Sequence, residues 1–394
     1  MTSISNSKIS NWVKIIHVAN IRLPTEKAHG IQIMKMSEAL AMTGAQVELI
    51  VPSRSENDLK HLDPFAYYSV KKNFQIRRLS SFDPAFLRRF RAGTYIKFQL
   101  TFFVVSLFFH FLFRARAREI FYTRNEYLLP VLLLFSDKVY WEAHNLPKNK
   151  LTYLKYWKKC AGIVAISQGL KVELMKMGIA EEKVIVAHDG VDLANFQFPI
   201  SNFQYRGELG LPVDKKIVMY AGHLYEWKGA STLLQVAKSL QATTNNLLFV
   251  FVGGTEHDVK KFKEQAARVE NVMILGHKSQ SEIPKYLAAA DVLVLPNSAK
   301  FKISQLYTSP LKLFEYMASS RPIVASDLPS IREVLNDNLA FFATADDADS
   351  LAAKISEVIT NPKEAMKKAD LARAEVVKYT WQNRAEKILH FLIE

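Results

Sequence analysis

In the stretch Thr308-Ser309-Pro310-Leu311-Lys312-Leu313-Phe314-Glu315-Tyr316-Met317-Ala318, small residues lead into a helical pattern that carries a cation and a carboxylate three positions apart. Free backbone N–H groups at such a helix start, with the positive end of the helix dipole, receive phosphate oxygens. Lys312 and Glu315 share one helix face. The ammonium can meet a diphosphate while the carboxylate accepts both hydroxyls of a ribose, which separates a nucleotide sugar from a simple sugar phosphate. A surface ion pair would account for the two charges but not for the Ser309-Pro310-Leu311 entry before them.

A second loop has related chemistry. Gly222-His223-Leu224-Tyr225-Glu226-Trp227-Lys228-Gly229 holds one lysine between glycines, so the backbone can approach an anion while the ammonium balances its charge. It is not a P-loop, since the glycine spacing and the Lys-Ser/Thr pair are missing. In the first half, the loop Leu23 to Gly30 ends at a helix start where Gly30 permits close approach, or is simply a turn residue. Trp141-Glu142-Ala143-His144 places His144 just past a strand, either reaching into a cleft or as a satisfied strand-end histidine.

These positions share one property: each follows a short apolar run, and ligands of open parallel sheets sit beyond the carboxyl ends of strands. Such runs alternate with amphipathic stretches throughout, the mark of crossover α/β folds. The first set is Val13–Ala19, Val47–Val51, Phe74–Leu79, Ile120–Thr123, Val139–Ala143, Gly162–Ile166 and Val184–Ala187; Ile31–Thr43 reads as a helix. Phe196 to Asp214, with Pro199, Gly207, Gly210 and Pro212, reads as a linker. A second set follows at Ile217–Gly222, Leu247–Val252, Val272–Leu275, Val292–Leu295 and Ile323–Ala325, and Trp381 to Leu392 carries a closing helical pattern. The expected division is 1–198, 199–378 and a last helix over 379–394.

A chain of 394 residues exceeds what one core usually supports. One cysteine, Cys160, rules out an internal disulfide and suits a reducing compartment, and Met1 to Asn11 lack the pattern of a secretory signal, so a cytoplasmic location is expected. The formal charge of +14 calls for anionic partners. No zinc-ligand spacing, RNP-like aromatic motif or basic heptad accompanies it, which argues against nucleic acid. Phe98 to Phe113 is almost all Phe, Leu and Val, with Arg88, Arg89 and Arg91 before it and Arg114, Arg116 and Arg118 after it. It is too short and interrupted to span a bilayer. It reads either as a buried helix or as an interfacial one whose arginines hold anionic headgroups.

Taken in order, the Gly222 to Gly229 loop, Val252-Gly253-Gly254, Leu275-Gly276-His277-Lys278, Ala290-Asp291-Val292 leading to Pro296-Asn297, and the Ser309 to Ala318 helix entry resemble the retaining glycosyltransferases of the family-4 type. The resemblance covers nearly the whole chain. It implies two Rossmann-like domains facing across a cleft (GT-B), with the Trp381 helix crossing back to the first. It implies a nucleotide-diphosphate sugar held mostly by the second domain: Glu315 on the ribose, the backbone near Lys278 on the base, Lys228 and the Ser309 to Lys312 loop on the diphosphate. His144 would contact the transferred sugar, and the acceptor would be a glycan or lipid-linked. No separate cofactor or metal is implied, and Asp347-Ala348-Asp349 reads as a helix cap rather than a metal site. Two positions depart from the family pattern. His223 stands where an arginine is common, and Tyr307 where the first of two paired acids is common. The second departure leaves a non-catalytic sugar-nucleotide or glycan-binding relative as the rival reading.

Overall fold

The computed structural model describes residues 13–54, 59–82, 92–114, 119–197, 202–242, 244 and 246–394. They form two compact units. The first comprises Met1–Ile166, Leu170–Ala187 and Trp381–Glu394; the second comprises Ser167–Gly169 and His188–Thr380. The boundary expected at 198/199 lies outside the described residues, as do Met1 to Asn11.

The first unit carries seven strands: β1 (Lys14–Val18), β2 (Gln46–Pro52), β3 (Gln75–Leu79), β4 (Glu119–Thr123), β5 (Val139–Ala143), β6 (Gly162–Ala165) and β7 (Val184–Val186). Their spatial order is β3-β2-β1-β4-β5-β6-β7, every pairing parallel. The second unit carries β8 (Lys216–Ala221), β9 (Leu247–Val252), β10 (Val272–Gly276), β11 (Val292–Leu295), β12 (Ile323–Ser326) and β13 (Phe341–Ala343). Their order is β10-β9-β8-β11-β12-β13, again parallel throughout. In each sheet the order reverses once, between β1 and β4 and between β8 and β11. Those are the points where an open α/β sheet offers a crevice for a ligand.

The second sheet shows why these strands form. In β8 successive side chains point to opposite faces, so Ile217, Met219 and Ala221 join one buried cluster while Val218 and Tyr220 join another. With helices covering both faces, the strands read as continuous apolar runs rather than alternating ones.

Two elements differ from the sequence expectation. β13 was not anticipated, because three residues carry too little pattern. The stretch taken as a linker contains a helix, Phe203–Leu209, that belongs to the second core. Its Arg206 is buried and donates to Asp291 Oδ2 at 2.5 Å, to the Ala289 carbonyl and to the Lys215 carbonyl, both at 2.9 Å. Gly210, at φ 64°, ends that helix instead of marking open chain.

The closing helix, Trp381–Ile393, completes the first unit. It packs on helix Ala28–Met42, buries Trp381, Arg384, Ala385, Ile388, Leu389 and Leu392, and its Leu392 carbonyl accepts from Tyr140 Oη at 3.2 Å. The apolar run lies in helix Ala92–Leu112. Phe103, Leu107 and Phe111 are buried beneath it, as the buried-helix reading expects, while another face stays exposed. Arg114 is not offered to headgroups: it donates to Glu48 at 2.8 Å and Glu119 at 3.0 Å. Arg88, Arg89, Arg91, Arg116 and Arg118 lie outside the described residues.

Candidate donor and hydroxyl sites

In the second unit, the loops after β8 and β11 meet at its switch point. Gly222 follows β8, and its N–H donates to the Val252 carbonyl at 2.8 Å. The loop makes one tight turn, Glu226–Lys228, and enters helix Ala230–Leu240 through Gly229. Gly229 sits at φ 71°, and a Cβ there would collide with the Pro296 carbonyl at the end of β11. Only glycine allows these two loops to approach so closely. Ser298 N–H donates to the Trp227 carbonyl at 3.0 Å and fixes the same junction.

Lys228 is partly buried, with its ammonium 5.3 Å from the Trp227 ring centroid. Burial lowers its pKa to about 8, against the pull of the Glu315 carboxylate. Lys312 is buried outright and has no hydrogen-bond partner for Nζ among the described residues; its nearest aromatic face is Tyr220, 4.1 Å to the centroid. Burial and the positive charge of Lys228 hold its pKa well below that of an ordinary lysine. Lys312 and Glu315 do not pair. Glu315 Oε1 instead accepts from Gln280 Nε2 at 2.6 Å, and burial raises its pKa.

Helix Leu311–Ala318 has Pro310 at its N-cap and no side chain capping it, so its first turn stays open to an anion. The Ser309 hydroxyl accepts from the Asp189 N–H at 2.8 Å, which leaves its own O–H as a donor. Lys278 reaches over Tyr286, 5.6 Å from the ring centroid. The His223 ring stacks on Tyr225 at 5.0 Å. Tyr307 is buried in a π-helical turn, Ile303–Tyr307, a distortion that recurs at functional sites. Asp347 caps helix Ala348–Thr360 by accepting from the Ser350 N–H at 2.9 Å, as its sequence suggested.

Two polar residues of this region have no role assigned from sequence, although Asn297 stands in a segment that carries the family resemblance. Gln280 is neutral and sits in a loop, so only its place just after Lys278 hinted at a role. Asn297 is fully buried, and both polar atoms of its side chain lack a hydrogen-bond partner among the described residues. A carboxamide left so is costly unless a ligand completes it.

In the first unit, the loops after β1, β4 and β5 line a cavity of about 360 Å³, again at the switch point. Asn20, His29, Arg124, Glu126, Tyr127 and His144 are among its walls. His144 Nε2 donates to Glu142 Oε1 at 2.5 Å. Glu142 is buried and also takes Gln32 at 2.5 Å, the Tyr122 hydroxyl, and Arg384 at 3.1 Å. Arg384, with the hydrogen bonds from His144 and Tyr122, holds Glu142 ionised, its pKa well below the usual range despite burial. Burial, reinforced by the Arg124 charge, lowers His144 to about 4. His144 is therefore neutral near pH 7, and with Nε2–H given to Glu142 its Nδ1 is an acceptor for a hydroxyl. Gly30 is not among the residues that line this cavity. It is inside helix Ala28–Met42, and the space its missing Cβ leaves is filled by the Tyr68 hydroxyl and Thr25, so the close approach it permits is made by this chain itself.

Residues 201–374 match the family described as glycosyl transferases group 1, and residues 30–195 match glycosyltransferase family 4. A glycosyltransferase of Methanocaldococcus jannaschii is 23% identical over 248 residues, 61% of each chain. The amylovoran biosynthesis glycosyltransferase AmsK of Erwinia amylovora is 25% identical over 236 residues, 59% of this chain and 56% of that protein. The match thus spans about three fifths of the length of these curated relatives. Among solved structures, Anabaena HepE in complex with UDP and glucose superposes with a TM-score of 0.73 at 16% identity, over 97% of this chain and 100% of that one.

Proposed function

Because the chain belongs to the glycosyltransferases of the group 1 and family 4 type, we propose that it transfers a sugar from a nucleoside diphosphate to a hydroxyl of a glycan or lipid-linked acceptor, with retention and without a metal. The observation that carries this reading is the buried Lys312 ammonium without a partner, beside a second lysine, Lys228, and an uncapped helix start. An unpaired buried ammonium is costly, and a diphosphate supplies the missing charge. The relative AmsK is named for amylovoran biosynthesis, and that supports the acceptor class.

In the reaction, the bond from the anomeric carbon to the diphosphate oxygen breaks and one to the acceptor oxygen forms. The acceptor proton passes to the departing diphosphate on the same face. Lys228 and Lys312 stabilise the charge that grows on the leaving group, the work a divalent cation does elsewhere. Glu315, steadied by Gln280, accepts the ribose hydroxyls. In the first unit, neutral His144 offers Nδ1 as an acceptor for a sugar hydroxyl. Its ring is held by Glu142.

UDP, the nucleotide bound by HepE, is the first probe. Thermal shift against UDP, other nucleoside diphosphates and their sugars should find a stabilising ligand, because binding to the folded state raises its apparent stability. Free nucleoside diphosphate should then appear when acceptor is added. Lys228→Ala should lower turnover more than donor affinity. Binding with no release from any donor, acceptors supplied, would instead favour the scaffold reading that buried Tyr307 motivates.

A further inference from the structure

Gln280 stands on the loop after β10, and that loop is fixed in place around it. Ser279 donates to Glu282 Oε2 through its N–H at 3.0 Å and through its hydroxyl at 2.6 Å, and the Glu282 N–H donates back to the Ser279 carbonyl at 3.0 Å. From this support the Gln280 side chain crosses to helix Leu311–Ala318, where Nε2 donates to Glu315 Oε1 at 2.6 Å. Both side chains are partly buried. A carboxylate opposite leaves the amide one orientation: its N–H faces the acid, so Oε1 is turned away. Neither Gln280 Oε1 nor Glu315 Oε2 has a hydrogen-bond partner among the described residues.

Two open acceptors beside one negative charge suit a pair of O–H donors and repel an anion. In the strand order β10-β9-β8-β11 the Gln280 loop follows the edge strand, two places from the strand that leads to Lys228, so the amide extends the site away from the diphosphate end. The group joined to a nucleoside diphosphate on that side is the ribose, whose cis-diol is such a donor pair. A latch between loop and helix would account for one hydrogen bond, but it would not call for a carboxylate. Burial raises the Glu315 pKa, and a neutral pair would cost less. Lys228, after β8, is the cation that bears on Glu315, and Lys312 lies one turn back on its own helix. The neighbouring Tyr316 hydroxyl accepts from the Ala221 N–H, and His277 and Lys278, on the Gln280 loop, act on Glu282 instead.

We propose that Gln280 and Glu315 read the ribose as a pair, Glu315 Oε2 and Gln280 Oε1 each accepting one hydroxyl of its cis-diol, so that the site takes ribonucleoside diphosphates and rejects their 2′-deoxy counterparts. The 2′-hydroxyl is the group by which a protein tells the two apart. Gln280 is at once a specificity residue and a positioning one, because its N–H favours the ionised carboxylate against burial. The inference rests on the nucleoside-diphosphate reading above and extends it to a residue on a different loop.

The test is calorimetry of UDP, GDP and ADP, each beside its 2′-deoxy counterpart, with inorganic pyrophosphate as a control for the lysines. The ribonucleotide that binds should do so at least about tenfold more tightly than its deoxy form. Gln280→Leu should cut that preference to below about threefold while leaving pyrophosphate binding and the melting temperature of the free protein unchanged. Gln280→Glu separates reading from latching. On acidification the two carboxyls share one proton, which restores a donor toward Glu315 and an acceptor beyond it. Its ribonucleotide affinity, relative to the unaltered protein, should therefore rise as pH falls from about 8 to about 6, whereas that of Gln280→Leu should fall, since Glu315 has lost a hydrogen bond to its charged form. If none of the nucleotides binds, the nucleoside-diphosphate reading itself falls and takes this one with it. A ribonucleotide bound no more tightly than its deoxy form, a preference that survives Gln280→Leu, loss of pyrophosphate binding in that variant, or parallel pH profiles for the two variants would each overturn the pairing alone.

Discussion

Both units bury charge at the carboxyl edge of a parallel sheet, and they treat it in opposite ways. In the first, Glu142 is surrounded by Arg384, Gln32, Tyr122 and His144. In the second, Lys312 has no partner, and the nearest formal charge that it feels is another lysine. A buried charge completed by its own chain orients its neighbours. One left incomplete costs stability that a ligand can return. The first arrangement therefore holds His144 in place, and the second is the one that the proposed diphosphate would complete.

Breaking each arrangement should give effects of opposite sign. Arg384→Met strands Glu142 without a cation and should cost about 3–5 kcal/mol in denaturant unfolding of the first unit. A loss below about 1 kcal/mol would show that the hydrogen bonds alone hold the carboxylate. Glu315→Ala should weaken nucleoside diphosphate binding by about 1–3 kcal/mol in calorimetry while leaving turnover at saturation nearly intact. Unchanged affinity would remove Glu315 from the ribose.

A pH series tests the second arrangement next. Lys228 has a pKa of about 8 when free, and a bound diphosphate raises it, so binding takes up a proton between the free and bound values. Affinity should be greatest below pH 8 and fall by up to about tenfold per unit above it, with proton uptake visible as buffer-dependent heat. Affinity that stays flat to pH 9 would mean the ammonium does not meet the ligand. The smallest effect sharpens the contrast most. Lys312→Met removes an unpaired buried charge and should stabilise the ligand-free protein by about 1 kcal/mol while abolishing its response to UDP. Destabilisation by the same substitution would show that Lys312 is structural.

Much of this was legible in the sequence where the signal is local. β5, β9 and β11 fall where their apolar runs do, and the Lys228 and Lys312-Glu315 segments stand out through charge set beside glycine and helix entry. Tertiary information was not legible. Nothing near Glu142 announces Arg384, which comes from a helix 242 residues away. Lys312 and Glu315 could be placed on one helix face, but only the fold shows that Gln280 occupies the carboxylate and that the Lys312 ammonium is left without a partner among the described residues. Phe203–Leu209 was hidden by its own punctuation: Gly207 and Gly210 suggested open chain, while the burial of Tyr205 and Arg206 that makes it a helix depends on Asp291 and Ala289 far downstream.

The return of Trp381–Ile393 to the first unit also sets an order of events on the ribosome. Domains generally fold as they emerge, N-terminal first. Here the first unit cannot finish early, because the guanidinium that neutralises Glu142 and the helix that covers Gly162 through Phe391 are made after the whole of the second unit. The second unit, drawn almost entirely from consecutive residues, can close before them. Synthesis would then pass through a stage in which the sheet of the first unit waits, incompletely covered, for the final helix, and nascent chains stalled before residue 381 should be the ones that engage chaperones and yield to protease.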